Sequence, residues 1–519
     1  MLESCSRIRQ YDLSVYAFLA VRIRPNQFNC RKMSRKLYLF AMGGTGSRVL
    51  KSLLMILAAG VRLSDDNSWE LEPIVIDPDQ GGGNLTDSIE TGEIYIKVRR
   101  NVSYLQEHFP GFFAQPLGES EIEKVPWDEV SNEDYRAYIH LDALKGSPTY
   151  SLVSLLYSES NLAMNMREGF RGNPNVGCVV LNQLEPWIDD FIKHRLHSED
   201  RVLVVSSIFG GTGASALPLL VKSLRNGSKS HVPIGAVSVH PYFNLEKPEE
   251  DGPGVETIDS ATFIGKTKAA LRYYKQNLKE LDVCYYIGDT VGDSYANCAG
   301  GREQKNPAAF VELAAALAAR DFANMLLNTK EPREVGETKY KEFAVEKNER
   351  ILTFDELSDS SRRLIQGPMV QFALLSKYLK EHLLEEGRKN QWARRIAIPR
   401  EWFESPEYTP LVEFTVRYDR WLEKLAGGSG RRFDPIDPNA RGSELFRLVR
   451  GHEKLGRSLG GFKGYSLFDR CLNLEAEKVV KGLKRHEKGE ETAMQRLLEL
   501  FYRATGRLVK EHLKISTIK

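Results

Sequence analysis

The stretch "VLVVSSIFGGTGASALPLLVKSLR", residues 202–225, joins a run of β-branched residues to a glycine-rich turn and then to a second apolar run. The first run predicts a buried strand, and the longer second run predicts a helix. Gly210, Gly211 and Gly213 remove side chains from the turn, so its backbone N–H groups can approach an anion. Thr212 adds a hydroxyl group. The stretch therefore predicts a strand, an anion-binding turn and a helix in succession.

A second turn of the same kind lies far upstream in "KLYLFAMGGTGSRVLKSLLMILAAG", residues 36–60. It again follows an apolar strand and opens a helix, where free N–H groups and the helix dipole favour an anion. Tight turns between a strand and a helix also use glycine for steric reasons alone. Two such turns at neighbouring strand ends could hold one nucleotide from two sides.

From Lys36 onwards, strand-like runs rich in Val, Ile and Leu alternate with helix-like segments. This alternation predicts an α/β fold with a parallel, Rossmann-like sheet. The strand candidates are "LYLFAM", "LEPIVID", "RVLVVSSI", "PIGAVSV" and "VCYYIGD". Ligands of open α/β sheets bind at the carboxyl ends of strands, and each candidate ends near glycine, aspartate or a polar loop.

Changes in composition divide the chain into three parts. Residues 1–32 predict a leader or a disordered extension, because Met33 stands directly before the first strand. Residues 33–330 predict the nucleotide-binding domain, with an insertion at about residues 90–165. Near the end of this domain, a helix is expected at about residues 307–327, with Asn306 as its N-cap. Residues 331–519 are more charged and predict a mostly helical C-terminal domain.

The composition is that of an ordinary globular protein, with 42% hydrophobic and 27% charged residues. A formal net charge of +2 offers no bulk attraction for nucleic acid or an anionic membrane. Basic segments near the C terminus, such as "KVVKGLKRHEK", are expected to be solvated helix faces. The 6 cysteines are scattered without a zinc-like spacing. No apolar run reaches the roughly 20 residues of a membrane span. We therefore expect a cytoplasmic protein without a membrane span or a nucleic-acid partner.

Two further loops lie between the glycine turns. The second strand candidate ends in "IDPDQGGGN", where Asp77 and Asp79 could contact a ribose or a metal-bound phosphate. These aspartates and the following glycines would equally well shape a flexible loop. The second loop, "GFRGNPNVG", contains Asn-Pro and glycine and predicts a tight polar turn.

These four loops, taken in order, resemble those of the tubulin and FtsZ superfamily. The order is a glycine turn after the first strand ("GGTGSR"), an acidic loop after the second ("IDPDQGGGN"), an Asn-Pro loop ("NPNVG") and a glycine-rich signature loop ("FGGTGAS"). The resemblance covers about residues 36–330 and implies a GTPase fold that binds GTP or GDP with Mg²⁺. It also implies self-association into a filament or an oligomer, while the C-terminal helices could recruit a protein partner.

The resemblance also implies roles for individual residues. The residues that would hold the nucleotide are Gly43, Gly44, Thr45, Gly46, Ser47, Asp77, Asp79, Asn173, Pro174, Gly177, Gly210, Gly211, Thr212, Gly213, Ala214 and Ser215. Among them, Asp77 would contact Mg²⁺ through the phosphates, and the Asn-Pro loop would frame the γ-phosphate. Asp259 or a nearby polar residue would contact the ribose, and an asparagine such as Asn297 or Asn306 would read the guanine.

The chain departs from the family pattern in two places. Phe209 stands where the signature usually begins with glycine, and Ser215 stands in place of its last glycine. The catalytic loop, which family members present to the next subunit, has its nearest counterpart in "ILTFDELSD", with Asp355, Glu356 and Asp359. These acids would position the attacking water, although the same pattern fits an acidic N-cap at an ordinary helix start.

Three functions are compatible with these residues. The first is a tubulin-like GTPase whose hydrolysis of GTP depends on self-assembly. The second is an adenylyltransferase of the ubiquitin-activating type, because "GGTGSR" and "VIDPDQGGGNL" also resemble that family. It leaves "NPNVG" and "FGGTGAS" unexplained. The third is a degenerate tubulin-like protein that uses a nucleotide only as a structural element and binds a partner.

Overall fold

The structure, a computed structural model, describes most of the chain from Arg35 onwards. The described residues are 35–66, 68–102, 111–118, 121–125, 134–166, 169–170, 172–227, 229, 231–246, 260–295, 306–327, 338–343, 349–383, 391–427, 431–440, 447–451, 465–483 and 492–515. The chain from Arg35 to Lys519 forms one unit. The predicted leader at residues 1–32 lies outside the described residues.

Eleven strands lie within the described ranges. They are β1 (Arg35–Met42), β2 (Trp69–Ile76), β3 (Glu123–Lys124), β4 (Arg201–Ser207), β5 (Ile234–Val239), β6 (Phe243–Leu245), β7 (Val283–Ile287), β8 (Asp293–Tyr295), β9 (Lys339–Phe343), β10 (Ile351–Leu352) and β11 (Arg432–Phe433).

Fifteen α-helices lie within the described ranges, and the longest of them, α11, lies in the C-terminal part. They are α1 (Gly43–Ala58), α2 (Gly83–Arg100), α3 (Tyr135–Tyr138), α4 (Pro148–Leu156), α5 (Glu159–Leu162), α6 (Pro174–Leu181), α7 (Glu185–His194), α8 (Gly211–Asn226), α9 (Phe263–Asn277), α10 (Phe310–Asn324), α11 (Asp359–Glu381), α12 (Gln391–Arg395), α13 (Thr409–Ala426), α14 (Tyr465–Leu483) and α15 (Ala493–Arg507). None of these described helices is both long and apolar enough to cross a lipid bilayer.

Seven strands form one parallel sheet in the order β3-β2-β1-β4-β5-β7-β9. Counted within the sheet, this is the order 3-2-1-4-5-6 of doubly wound Rossmann folds, extended by one edge strand. The strand order reverses between β1 and β4, where Ala41 pairs with Val205. The predicted class, a parallel Rossmann-like α/β sheet followed by a mainly helical part, is confirmed. The switch point between β1 and β4 is where such folds bind their ligands.

The core of the sheet is built from the strands that the sequence predicts. All residues of β4 and β5 are buried, and so are residues 37–42 of β1. Phe40 of β1 packs edge-on against Phe191 of α7, with ring centroids 5.3 Å apart. All five predicted strands are confirmed, whereas β3 and β9 at the sheet edges were not predicted. Continuous apolar runs identify buried parallel strands, and β9, "KYKEF", has none.

Helix α10 begins later than the sequence predicts. Asn306 does not act as its N-cap, because the helix starts at Phe310 and Ala309 precedes it in an extended conformation. The Glu312 carboxylate accepts a hydrogen bond from the Ala309 N–H at 3.2 Å, which satisfies a free amide at the new start.

The C-terminal helices pack directly on α1 and α2. An aromatic cluster joins them: Phe113 lies 5.8 Å from Phe372 of α11 and 5.0 Å from Phe414 of α13, measured between ring centroids. The indole N–H of Trp421 donates to the Ser52 hydroxyl of α1 at 3.3 Å. The last strand of the sheet, β9, comes after the predicted domain boundary near residue 330. Residue 330 itself lies outside the described residues. The division of the chain near residue 330 stays a prediction.

Candidate functional site

The two glycine turns lie against each other at the switch point of the sheet. The first joins β1 to α1 and the second joins β4 to α8, and these two strands are neighbours. Gly43 has a φ of +65°, and a Cβ atom there would lie 3.3 Å from Thr212 Cβ and 3.8 Å from the Gly213 nitrogen. The N-terminal ends of α1 and α8 therefore meet at one place, where both helix dipoles favour an anion.

The three glycines of the first turn differ in how closely neighbouring atoms surround them. A Cβ atom on Gly46 would lie 2.7 Å from the Ala41 carbonyl carbon and 2.8 Å from the Val205 oxygen, so this glycine lets α1 pack on the strands. The Ser47 hydroxyl is buried and donates to the Gly43 carbonyl at 3.1 Å. Beside Gly44, by contrast, the nearest atoms to an added Cβ would be 3.8 and 3.9 Å away. Among the three glycines of this turn, Gly44 alone has neither a positive φ nor a clash with an added Cβ atom.

The glycines of the second turn serve close packing. A Cβ atom on Gly213 would lie 2.9 Å from the backbone of Ser207, and one on Gly211 would lie 3.0 Å from the backbone of Phe170. One on Gly210 would lie 2.6 Å from the Ser207 hydroxyl. The steric reason for glycine therefore applies at all three positions.

The Asn-Pro loop contacts the second turn directly. Asn173 precedes α6, Pro174 is its first residue, and Gly177 lies within it. A Cβ atom on Gly177 would overlap the Ser215 hydroxyl oxygen. That hydroxyl is shared between the Gly211 carbonyl at 2.7 Å and the Thr212 carbonyl at 3.0 Å. The structure thus brings "NPNVG" and "FGGTGAS" together, and Ser215 fits beneath Gly177.

Phe209 and Ala214 are held by residues that follow the signature loop. The ring of Phe209 lies 4.9 Å from Phe263 of α9 and 5.7 Å from Phe243 of β6, measured between centroids. The Ala214 carbonyl accepts a hydrogen bond from Tyr274 of α9 at 3.1 Å. The departure from glycine at position 209 therefore anchors the second turn to an aromatic cluster.

The acidic loop after β2 holds two buried carboxylates. Asp77 and Asp79 are each 8% exposed, and the Asp79 N–H donates to Asp77 Oδ1 at 3.2 Å. Burial, and then the charge of Asp79, raise the pKa of Asp77 to about 7. In the described part of the chain no group of three or more His, Cys, Asp or Glu side chains could hold a metal ion by itself. A cation at Asp77 would therefore need oxygen ligands from a phosphate or water.

A buried charged network beside the first turn was not predicted from the sequence. Arg48 of α1 donates from Nε to Glu312 Oε1 of α10 at 2.5 Å and from Nη2 to the Tyr242 hydroxyl at 2.7 Å. Burial alone would lower the pKa of Arg48, but Tyr242 and Glu312 offset it and keep that pKa raised. The available signal was an arginine and a glutamate near the starts of two mostly apolar helical segments.

The remaining predicted residues belong to neither turn, and two of them, Asp259 and Asn297, lie outside the described residues. Asn306 stands four residues before α10. Arg362 pairs with Asp359 at 2.6 Å and with Asp355 at 3.5 Å. Both carboxylates are exposed, and Glu356 accepts a hydrogen bond from the Thr353 hydroxyl at 2.8 Å.

The strand order and the paired turns define the class: a doubly wound α/β protein in which two helix N-termini meet at the switch point. No protein-family model matches this sequence, and neither does any curated protein sequence. The chain is similar to tubulin-like structures, the class that its four loops resemble.

Three solved structures illustrate this similarity. CetZ2 from Haloferax volcanii, a GTPγS-bound protofilament, is 12% identical, with a TM-score of 0.28, and the match covers 56% of this chain and 58% of that one. CetZ from Methanosaeta thermophila is 15% identical, with a TM-score of 0.24 and coverage of 49% and 46%. An FtsZ variant from M. jannaschii is 13% identical, with a TM-score of 0.25 and coverage of 50% and 48%. The match spans about half the length of these structures.

Proposed function

We propose that this protein binds GTP or GDP between its two glycine turns and hydrolyses GTP when copies of the chain associate. The observation that carries the proposal is the close approach of the two turns at the switch point, where a Cβ atom added to Gly43 would lie 3.3 Å from Thr212 Cβ. A single helix start attracts one phosphate group weakly, whereas two that meet can hold a chain of phosphates.

The phosphates would occupy the space beside Gly44. The amides of Gly44 and Thr45 open α1, where the carbonyls of a preceding turn are absent, so they are free to donate to phosphate oxygens. Thr212 stands at the start of α8, on the other side of the same crevice. Asn173 and Gly177 pack behind the second turn and would support it on the γ-phosphate side.

Asp77 and Asp79 would hold Mg²⁺ together with the phosphates. Two buried aspartates in one loop, with the Asp79 N–H donating to the Asp77 carboxylate, fit a hard cation, because a positive charge would offset the burial and the Asp79 charge that raise the pKa of Asp77. When bound, Mg²⁺ neutralises charge on the phosphates. The contribution of the chain is to orient Asp77, whose carbonyl accepts from the Gln80 side chain at 2.6 Å.

Hydrolysis would require acids supplied by a second copy of the chain. Asp355 and Asp359 are exposed by 61% and 72% of their side chains, so a neighbouring molecule can reach them. Their role in positioning water is proposed from the resemblance. Both acids also neutralise Arg362, and this favours a second candidate: a non-catalytic protein in which the nucleotide is structural.

Gly44→Val tests the binding site. A Cβ atom there would make ordinary van der Waals contacts with Arg48 Nη1 and Asn84 Nδ2 and approach no backbone outside α1 within 4 Å, so the fold should persist while the valine methyl groups block GTP binding. Gly265→Val is the matched control, because Gly265 also lies in the first turn of a helix and has nothing within 4 Å of an added Cβ. Calorimetric titration with GTP and Mg²⁺ measures both. Wild-type affinity in Gly44→Val would refute the site.

Turnover at increasing protein concentration separates the two candidates. Assembly-dependent hydrolysis rises faster than linearly with concentration, because the acids and the nucleotide belong to different copies. The non-catalytic candidate predicts tight nucleotide binding without turnover at any concentration. Electron microscopy with and without GTP shows whether filaments accompany the activity.

A further inference from the structure

Arg48 is a buried arginine whose guanidinium lies beside Gly44 of the first glycine turn. It stands on α1 five residues after Gly43, and only 8% of it is exposed. Buried charges are normally paired, because leaving water is costly for an ion. The pairing of Arg48 therefore shows which parts of its guanidinium are already committed.

Two of the three guanidinium nitrogens are fixed by the protein. Nε donates to Glu312 at 2.5 Å, and Nη2 donates to the Tyr242 hydroxyl at 2.7 Å and to the Thr45 hydroxyl at 3.3 Å. The acceptors are themselves held, since the Tyr242 hydroxyl donates to Glu312 Oε1 at 2.8 Å. The guanidinium is thus locked in one plane before any ligand arrives.

The third nitrogen, Nη1, makes no hydrogen bond to any described residue. It lies 3.8 Å from the point where a Cβ atom on Gly44 would stand, and Asn84 Nδ2 of α2 lies 3.9 Å from the same point. Both groups are hydrogen-bond donors, and both lie near Gly44, whose amide is one of those at the start of α1.

We propose that Arg48 binds a phosphate oxygen of the nucleotide through Nη1, with Glu312 and Tyr242 as positioning residues. The proposal rests on the proposed function and adds a charged side chain to a site otherwise built from backbone amides. A preorganised arginine loses little entropy on meeting a phosphate, and its charge-assisted hydrogen bond is stronger than a neutral one. Neither of its positioning partners is near it in the sequence.

The test compares Arg48→Met with Arg225→Met. Like Arg48, Arg225 is an arginine in an ion pair, 2.8 Å from Asp282, although it is half-buried. It lies at the C-terminal end of α8, about 20 Å along that helix from the glycine turn. Arg48→Met should weaken binding of GTPγS and of inorganic tripolyphosphate about 10- to 100-fold, the effect expected for one hydrogen bond to a charged group. Arg225→Met should leave both affinities unchanged. Arg48→Lys keeps the charge and should restore part of the loss.

A double-mutant cycle with Tyr242→Phe tests the positioning. Tyr242→Phe should weaken GTPγS binding in the wild-type background and cause no further loss once Arg48 is methionine, because its effect passes through Arg48. A purely structural role of Tyr242 would weaken binding equally in both backgrounds. The dependence of affinity on salt concentration should also become shallower in Arg48→Met.

The outcomes separate this proposal from the proposed function. If the wild type binds neither GTPγS nor tripolyphosphate, both fail. If the wild type binds and Arg48→Met binds equally well, the phosphate contact of Arg48 is refuted while the nucleotide site stands. If Arg48→Met and Arg225→Met lose affinity to the same extent, the loss reflects general destabilisation and the proposal is again refuted. If Arg48→Met does not fold, Arg48→Gln, which removes the charge but keeps a polar side chain, replaces it, and wild-type affinity for tripolyphosphate in that variant gives the same refutation.

Discussion

Burial gives Asp77 an acid–base behaviour unlike that of an exposed aspartate. Its pKa is raised from 3.8 to about 7, first by burial and then by the charge of Asp79. The folded protein therefore binds this proton more tightly than the unfolded chain does. The resulting contribution to stability is complete below about pH 4 and is lost as the pH rises through about 7.

We expect Asp77→Asn to flatten this part of the pH dependence. The asparagine has no proton to lose. Between about pH 4 and pH 7, the free energy of unfolding should therefore fall less steeply with pH in Asp77→Asn than in the wild type. Urea unfolding at a series of pH values, with EDTA present to remove divalent cations, measures the difference. Parallel curves for the two proteins would show that Asp77 has an ordinary pKa.

At the scale of single residues, local patterns are visible in the sequence and distant pairs are not. The glycine turns and the Asn-Pro loop were predicted because their residues are contiguous, and glycine marks a tight turn wherever it occurs. Arg48 and Glu312 are 264 positions apart, so no local pattern links them. Their partnership depends on how α10 packs on α1, which only the folded chain specifies.

At the scale of elements, hydrophobic runs identified the buried strands but not the helix boundaries or the sheet edges. The alanine-rich segment around α10 predicted a helix, yet its start moved to Phe310 because the Glu312 carboxylate caps the Ala309 amide. Strand β9 exposes three of its five residues and has the charged character of an edge strand. Boundaries and edges depend on tertiary partners, which a single segment does not contain.

Thr492 makes an element-scale prediction because it joins two helices. Its hydroxyl oxygen accepts the Gln495 N–H at 3.1 Å as the N-cap of α15, and the hydroxyl also donates to the Asn101 carbonyl at the end of α2. Thr492→Ala should destabilise the protein by about 2 kcal/mol, about 1 for the cap and about 1 for the second hydrogen bond. Thermal or urea unfolding measures this loss.

Ser358→Ala is the matched control for Thr492→Ala. Ser358 caps α11 by accepting the Ser361 N–H at 3.3 Å, and its other hydrogen-bonding partners lie within the same turn. Its replacement should therefore cost only about 1 kcal/mol. Equal losses for the two variants would mean that the contact between Thr492 and α2 adds nothing to stability.

At the scale of the whole molecule, α1 connects the candidate site with the C-terminal helices. Its first turn lies at the candidate site, and Ser52 in its middle accepts the hydrogen bond from Trp421 of α13. Arg417 of α13 also pairs with Asp87 of α2 at 2.7 Å. A ligand that fixes the first turn should therefore stabilise the C-terminal helices as well.

A chain that ends at residue 343 should not fold on its own. It would keep all seven strands of the sheet but would lose α11, α13 and α15, which cover Phe112, Phe113 and Tyr95. Each of these aromatic side chains is fully buried in the complete chain, and exposing each would cost roughly 2 to 3 kcal/mol. Together these losses are comparable with the whole stability of a typical protein.

Calorimetry and dye binding check this expectation. The truncated chain should bind the hydrophobic dye ANS and show no cooperative heat-absorption peak, whereas a chain that begins at Arg35 and runs to Lys519 should keep the transition of the full protein. GTP with Mg²⁺ should move that transition upwards as a whole, because sheet and C-terminal helices share one core. A cooperative peak in the truncated chain, itself shifted by GTP, would instead establish the sheet as an independent nucleotide-binding domain with a separable helical part.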